Sequence, residues 1–129
     1  MTTRGIADTS IFIAEETGRP LDVDGLPDEL AVTVITIGEL RAGVLAATDI
    51  TTRDRRLRTL TAALDLDPIP IDAGVAEHWA TLRVLLRDRG LRMGVNDAWI
   101  AATALAYDVP VVTQDDGFPA IDELRVLRV

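Results

Sequence analysis

Four acids, Asp8, Glu39, Asp97 and Asp115, stand where they could do chemistry together. Asp8 follows the short apolar run Gly5-Ile6-Ala7. Glu39 follows the β-branched run at residues 30–35, and Asp115 follows Pro110-Val111-Val112-Thr113. Asp97 falls in the first turn of an alanine-rich helical stretch. If the apolar runs are parallel strands, three of these acids lie at the carboxyl edge of one sheet, where sites of open α/β sheets form. The fourth joins them if its helix starts at that edge. Like charges brought together raise one another's pKa values. A hard divalent cation such as Mg²⁺ or Mn²⁺ removes the conflict because it prefers oxygen ligands. Such an ion can acidify water and stabilise charge on the leaving oxygen of a phosphodiester.

Each acid also has a purely structural use. Asp8 can end a strand and cap a helix, and Glu39 can be the glutamate of a capping box opened by Thr36. Asn96-Asp97 can start a helix, and Asp115-Asp116-Gly117 can be a turn. Taken singly, each acid fits its structural use. Four on one edge, three of them behind apolar runs, shift the balance towards a shared site. Asp116, next to Gly117, is read as a solvated turn residue.

The elements that must position these acids follow from periodicity and punctuation. Residues 4–7 read as a first strand, and Thr9 or Ser10 as the cap of a helix running to Thr17, stopped by Gly18 and Pro20. Residues 30–35 are apolar on both parities, as expected for a buried parallel strand. Helices are predicted over 36–47, over 52–66, over 74–89 with Gly90 closing it, and from a cap at Asn96 to Tyr107. Short strands are predicted at 68–71, 110–113 and 126–129. Strands alternating with helices imply an α/β fold, a single domain over 1–129 with a central, mainly parallel sheet covered on both faces.

Composition narrows the chemistry. There is no cysteine, which rules out disulfides and thiolate zinc sites and suits a reducing, cytoplasmic setting. The start of the chain has no apolar run long enough for a secretion signal or a membrane span. All 13 basic residues are arginine. The absence of lysine excludes P-loop phosphate binding and Schiff-base catalysis. One histidine, His78, cannot build a multi-histidine zinc site. The net charge of −8 argues against a protein that coats nucleic acid, but not against a nuclease whose acids crowd into one cleft.

Four segments, taken in order, resemble the PIN-domain family and, within it, the VapC-like toxins of toxin–antitoxin pairs. They are Ala7-Asp8-Thr9-Ser10, Thr36-Ile37-Gly38-Glu39-Leu40-Arg41-Ala42-Gly43, Val95-Asn96-Asp97-Ala98-Trp99-Ile100-Ala101-Ala102-Thr103-Ala104 and Val111-Val112-Thr113-Gln114-Asp115-Asp116-Gly117-Phe118. The resemblance implies a Rossmann-like α/β/α sandwich and an Mg²⁺- or Mn²⁺-dependent endoribonuclease inhibited by a cognate antitoxin, with a homodimer expected. It assigns the metal and catalytic positions to Asp8, Glu39, Asp97 and Asp115. Ser10, Asn96 and Thr113 would orient those ligands from behind. Gln114 departs from the pattern, because many relatives carry arginine before the last acid.

Arginines are the remaining candidates. Arg41, Arg89 and Arg92 lie near the acids in sequence and are read as possible RNA contacts, against the alternative of a solvated, ion-paired surface. The run Arg53, Arg55, Arg56 and Arg58 is read as a helix face. His78 is read as a surface residue, and Trp79 and Trp99 as core or interface groups. Two other functions compete. A phosphatase of the aspartyl-phosphate type wants a second aspartate where Ser10 stands, and an inert PIN-like module would serve only as a binding partner.

Overall fold

The computed structural model describes residues 1–129. Its centre is a four-stranded, all-parallel sheet of β1 (Arg4–Ala7), β2 (Glu29–Ala31), β3 (Val111–Thr113) and β4 (Val126–Arg128), in the order β2-β1-β3-β4. The helices are α1 (Thr9–Thr17), α2 (Val34–Ala46), α3 (Ile50–Leu64), α4 (Ala73–Asp88) and α5 (Val95–Tyr107), with a 3₁₀ turn at Val23–Gly25. The strand order reverses between β1 and β3, whose register pairs Ile6 with Val111 and Ala7 with Val112.

Strand side chains alternate between faces, and this builds two cores. Ile6 and Val111 pack with Leu82 and Leu86 of α4 and Ile100, Ala101 and Ala104 of α5. Ala7 and Val112 pack with Ile11 and Phe12 of α1, Leu40 and Val44 of α2, and Leu60 and Ala63 of α3. The result is the three-layer α/β/α sandwich expected from the alternating elements. The small residues Ala98, Ala101, Ala102 and Ala104 are buried and let α5 lie close to its neighbours.

Several expected boundaries move. The apolar run at 30–35 is not one strand. Thr33 adopts an extended conformation and accepts a hydrogen bond from the Thr36 amide, so α2 begins at Val34. A capping side chain outweighs the strand preference of Val34 and Ile35. Thr36 is therefore buried inside the helix rather than capping it, and Glu39 sits in the helix body. Asp8, not Thr9 or Ser10, caps α1. Asp49 caps α3, which starts two residues before the expected Thr52. The predicted strand at 68–71 contributes one parallel bridge, Thr33 to Ile69. Gly94 precedes α5 without a side-chain cap, so Asn96 and Asp97 both lie inside its first turn.

Candidate metal centre

The acids meet at the switch in strand order. Asp8 leaves β1 and Asp115 lies just past β3, the central pair of strands. Asp8 is 3 % exposed, and its carboxylate is held by hydroxyls. One oxygen accepts from the Ser10 amide at 3.1 Å and from the Ser10 hydroxyl. The other accepts from the Thr113 hydroxyl at 2.6 Å. The network continues outward: the Ser10 hydroxyl accepts from the Gln114 amide at 2.9 Å, and the Thr113 hydroxyl accepts from the Asp115 amide at 2.9 Å. Two of the three expected supporting residues, Ser10 and Thr113, thus orient Asp8 and the start of the Asp115 loop. Asn96 does not, because its side chain is exposed on the rim beside Gly38 and Glu39.

Glu39 is fixed separately. The Thr9 hydroxyl donates to its carboxylate at 2.7 Å, and the Thr36 hydroxyl lies 3.0 Å from that of Thr9. Asp97 is partly buried in the first turn of α5, whose amide dipoles favour a negative charge. Burial pushes its pKa up from 3.8 to about 6, and the charges of Asp8, Glu39 and Asp115 push in the same direction. Asp8 is also raised, mainly by burial, with its hydroxyl donors opposing and Asp115 adding to the rise. All four acids therefore share one electrostatic neighbourhood. Asp116 turns away and pairs with Arg128 of β4 at 2.5 Å.

No three carboxylates or imidazoles form a ready-made cage for an ion in this arrangement. The chemistry of the donor set still fits a hard divalent cation. Every donor is oxygen, Asp97 is electrostatically unsatisfied, and hydroxyls orient the two carboxylates that approach from β1 and α2.

A model of the PIN domain matches residues 6–124. The chain belongs to the PIN-domain family. Ribonuclease VapC5 of Mycobacterium tuberculosis (strain ATCC 25618 / H37Rv) is 47 % identical over 128 residues, 97 % of this chain and 95 % of the relative. Ribonuclease VapC4 of the same strain is 42 % identical over 127 residues, 98 % and 97 % of the two chains. A solved structure of a member of the VapBC family of toxin–antitoxin systems, VapBC-5 from Mycobacterium tuberculosis, superposes with a TM-score of 0.90 at 44 % identity, covering 98 % of this chain and 99 % of the other.

In this PIN domain three positions matter that the sequence reading passed over. Thr9 reaches Glu39 directly across 30 positions of chain, with no signal in spacing, and Thr36 acts only through Thr9, hydroxyl to hydroxyl. Replacing Thr9 with Val is expected to lower the turnover of metal-loaded protein by roughly 10–100-fold, the usual cost of an outer-shell partner, while Thr9→Ser restores most of it. Steady-state cleavage rates of the two variants check this. Gly117 is the third. A Cβ built there would stand 2.7 Å from an oxygen of Asp97. Because that atom ends a movable side chain, Gly117→Ala is expected to displace Asp97 with little loss of stability and roughly 10–100-fold weaker metal affinity. Calorimetric Mn²⁺ titration beside thermal melts separates the two effects.

The arginines sort differently from the expectation. Arg89 gives both ends of its guanidinium to Glu123, at 2.9 and 2.6 Å, so its fork is already occupied. Arg41 and Arg92 are exposed and have neither a carboxylate nor a carbonyl partner. Gln114 donates to the carbonyls of Pro20 and Val129 and accepts from Arg19 at 3.3 Å, so the position that departs from the family pattern ties together two loops. His78 is exposed and bonded to the Gly74 carbonyl, as a helix-surface residue.

Proposed function

We propose that this chain is a metal-dependent endoribonuclease, the toxin of a toxin–antitoxin pair, held in check by a cognate antitoxin protein. The observation that carries the reading is the convergence of Asp8, Glu39, Asp97 and Asp115 at the strand-order switch, with Asp97 pushed to about 6. The names of the relatives, ribonucleases and toxin–antitoxin complexes, agree with it.

Asp8, Glu39, Asp97 and Asp115 are the residues that would hold one or two Mg²⁺ or Mn²⁺ ions. When bound, the ion supplies acidified water and charge stabilisation at the leaving oxygen. The protein supplies position. Ser10 and Thr113 keep Asp8 from rotating, and Thr9 does the same for Glu39. The positive end of α5 lies under Asp97 and offers favourable potential to a phosphate oxygen. Arg41, two positions after Glu39, and Arg92, five before Asp97, have no internal partner and are the guanidiniums available to the flanking phosphates. The same reading includes a homodimer and a cytoplasmic setting. No helix is long and apolar enough to cross a membrane.

The test is cleavage of a mixed single-stranded RNA with and without Mg²⁺ or Mn²⁺, beside small phosphate esters. Metal-dependent RNA cuts with the esters untouched support the nuclease. Ester hydrolysis alone points to a phosphatase, and failure of Mg²⁺ or Mn²⁺ to bind by calorimetry points to an inert module.

A further inference from the structure

The thirteen arginines divide by partner. Seven pair with carboxylates. Arg53 and Arg56 donate to main-chain carbonyls, and Arg19 donates to Gln114. Arg41, Arg83 and Arg92 are left without a polar partner. Two of those three, Arg83 and Arg92, line a single cavity of about 610 Å³ between α4 and α5. Arg87 is a third base in its wall, and no acid lines it. Arg87 does pair with Asp88 at 3.1 Å, but both side chains are largely exposed and such a pair is worth little. In a chain of net charge −8 this cavity is locally cationic.

Its walls are otherwise apolar. Trp79 stacks on Trp99 with ring centres 4.6 Å apart and planes 5° from parallel, while Arg83 lies over the Trp79 ring at 5.2 Å. Met93 and Ala98 complete the inner side. Ala98 of the cavity wall and Asp97 of the acid cluster are neighbours in the first turn of α5, so one helix start carries both.

We propose that this cavity is a nucleotide subsite for the single-stranded RNA whose scissile phosphate lies at the acids, a proposal that rests on the nuclease reading above. Arg83 and Arg92 take the phosphate, since a guanidinium with no internal partner can give its fork to a phosphate without first breaking an ion pair. The apolar wall of Leu91, Met93 and the edge of Trp79 takes the base by non-polar contact rather than by stacking, since Trp99 and Arg83 already cover the Trp79 ring, and such contact does not depend on base identity. A second copy of the chain is a poorer occupant. A two-fold interface sets the same patch against itself, and here it would oppose guanidiniums with no acid in the cavity to answer them.

The two tryptophans are the only ones in the chain, so their emission reports on the cavity. A 12-nucleotide single-stranded RNA is titrated into EDTA-treated protein, which cannot cut it. The expected result is a saturable emission change. Arg83→Gln/Arg92→Gln should weaken the affinity by roughly tenfold and lower the salt slope by about 1.4, at about 0.7 per phosphate contact on a single strand. A control that removes equal charge elsewhere, Arg4→Gln/Arg58→Gln, should leave both nearly unchanged. Equal losses in the two double variants, or RNA binding without an emission change, would overturn the subsite. So would a fall in sedimenting mass confined to Arg83→Gln/Arg92→Gln, which would mark a copy interface. Wild-type cleavage with Mg²⁺ or Mn²⁺, run in parallel, keeps the two readings apart. Cutting without the emission response removes the subsite alone, while neither cutting nor binding removes both.

Discussion

Asp97→Asn is expected to abolish RNA cleavage and, at the same time, to stabilise the metal-free protein. The first effect follows from removing a central acid of the candidate centre. It should exceed the roughly 100-fold that marks the upper range for partners one shell further out. The second follows from electrostatics. Burial and three neighbouring carboxylates raise the Asp97 pKa from 3.8 to about 6. The folded state thus binds this proton more tightly than the unfolded chain does. Stability from this group is greatest below 3.8, falls as pH rises from there through about 6, and stays low above it. Asp8 is shifted in the same direction. Near neutrality in EDTA, the asparagine variant should therefore melt higher by roughly 3–8 °C, for about 1–2 kcal/mol after allowing for the partial exposure of Asp97. Its melting temperature should also vary less between pH 4 and 7 than the wild type's. Added Mn²⁺ should reverse the ranking, because only the wild type gains binding energy from the ion. Melting curves at several pH values, with and without Mn²⁺, test each part. A variant that cuts RNA as well as wild type would remove Asp97 from the chemistry.

Ile100→Ala should give the largest loss of stability among single substitutions of this kind. Ile100 is fully buried, one turn of helix beyond Asp97, in the core shared by α4, α5 and the sheet. Truncation leaves a cavity where close-packed neighbours cannot fully collapse, at a cost of about 2–5 kcal/mol. Denaturant unfolding measures it directly, as a lower midpoint with an unchanged slope. Because the same helix carries Asp97, the variant should also bind metal more weakly. Ile100→Val, which keeps most of the volume, should recover both properties.

The chain order of the candidate site was legible because it depends on local facts. Asp8, Glu39 and Asp115 each follow an apolar run, and parallel strands place their carboxyl ends on one edge. The layers were legible too, since Ile6 and Ala7, or Val111 and Val112, must face opposite sides of a pleated sheet. What escaped was decided by contacts between distant residues or by competing uses of one residue. Val34 and Ile35 are good strand residues, yet Thr33 caps the helix that takes them. Asn96 has the side chain of a cap but lies in the first turn of α5, after the uncapped start at Gly94. Arg89 looks free in sequence until Glu123, 34 positions later, closes on it. The Thr9–Glu39 bond links two helices through side chains whose spacing carries no period.

The hydrogen bond between Thr113 and Asp8 spans 105 positions, and the strand pairing of β1 with β3 spans the same stretch. During synthesis the first strand leaves the ribosome long before its central partner exists. At ordinary elongation rates it waits roughly 5–20 s. Until then Asp8 has no hydroxyl from β3 and no Asp115 beside it. A nascent or prematurely ended chain therefore carries the early half of the acids without the late half. The four acids can come together only after β3 and the Asp115 loop have been made, so a chain interrupted before Val111 keeps Asp8 and Glu39 but lacks the Thr113 hydroxyl and Asp115.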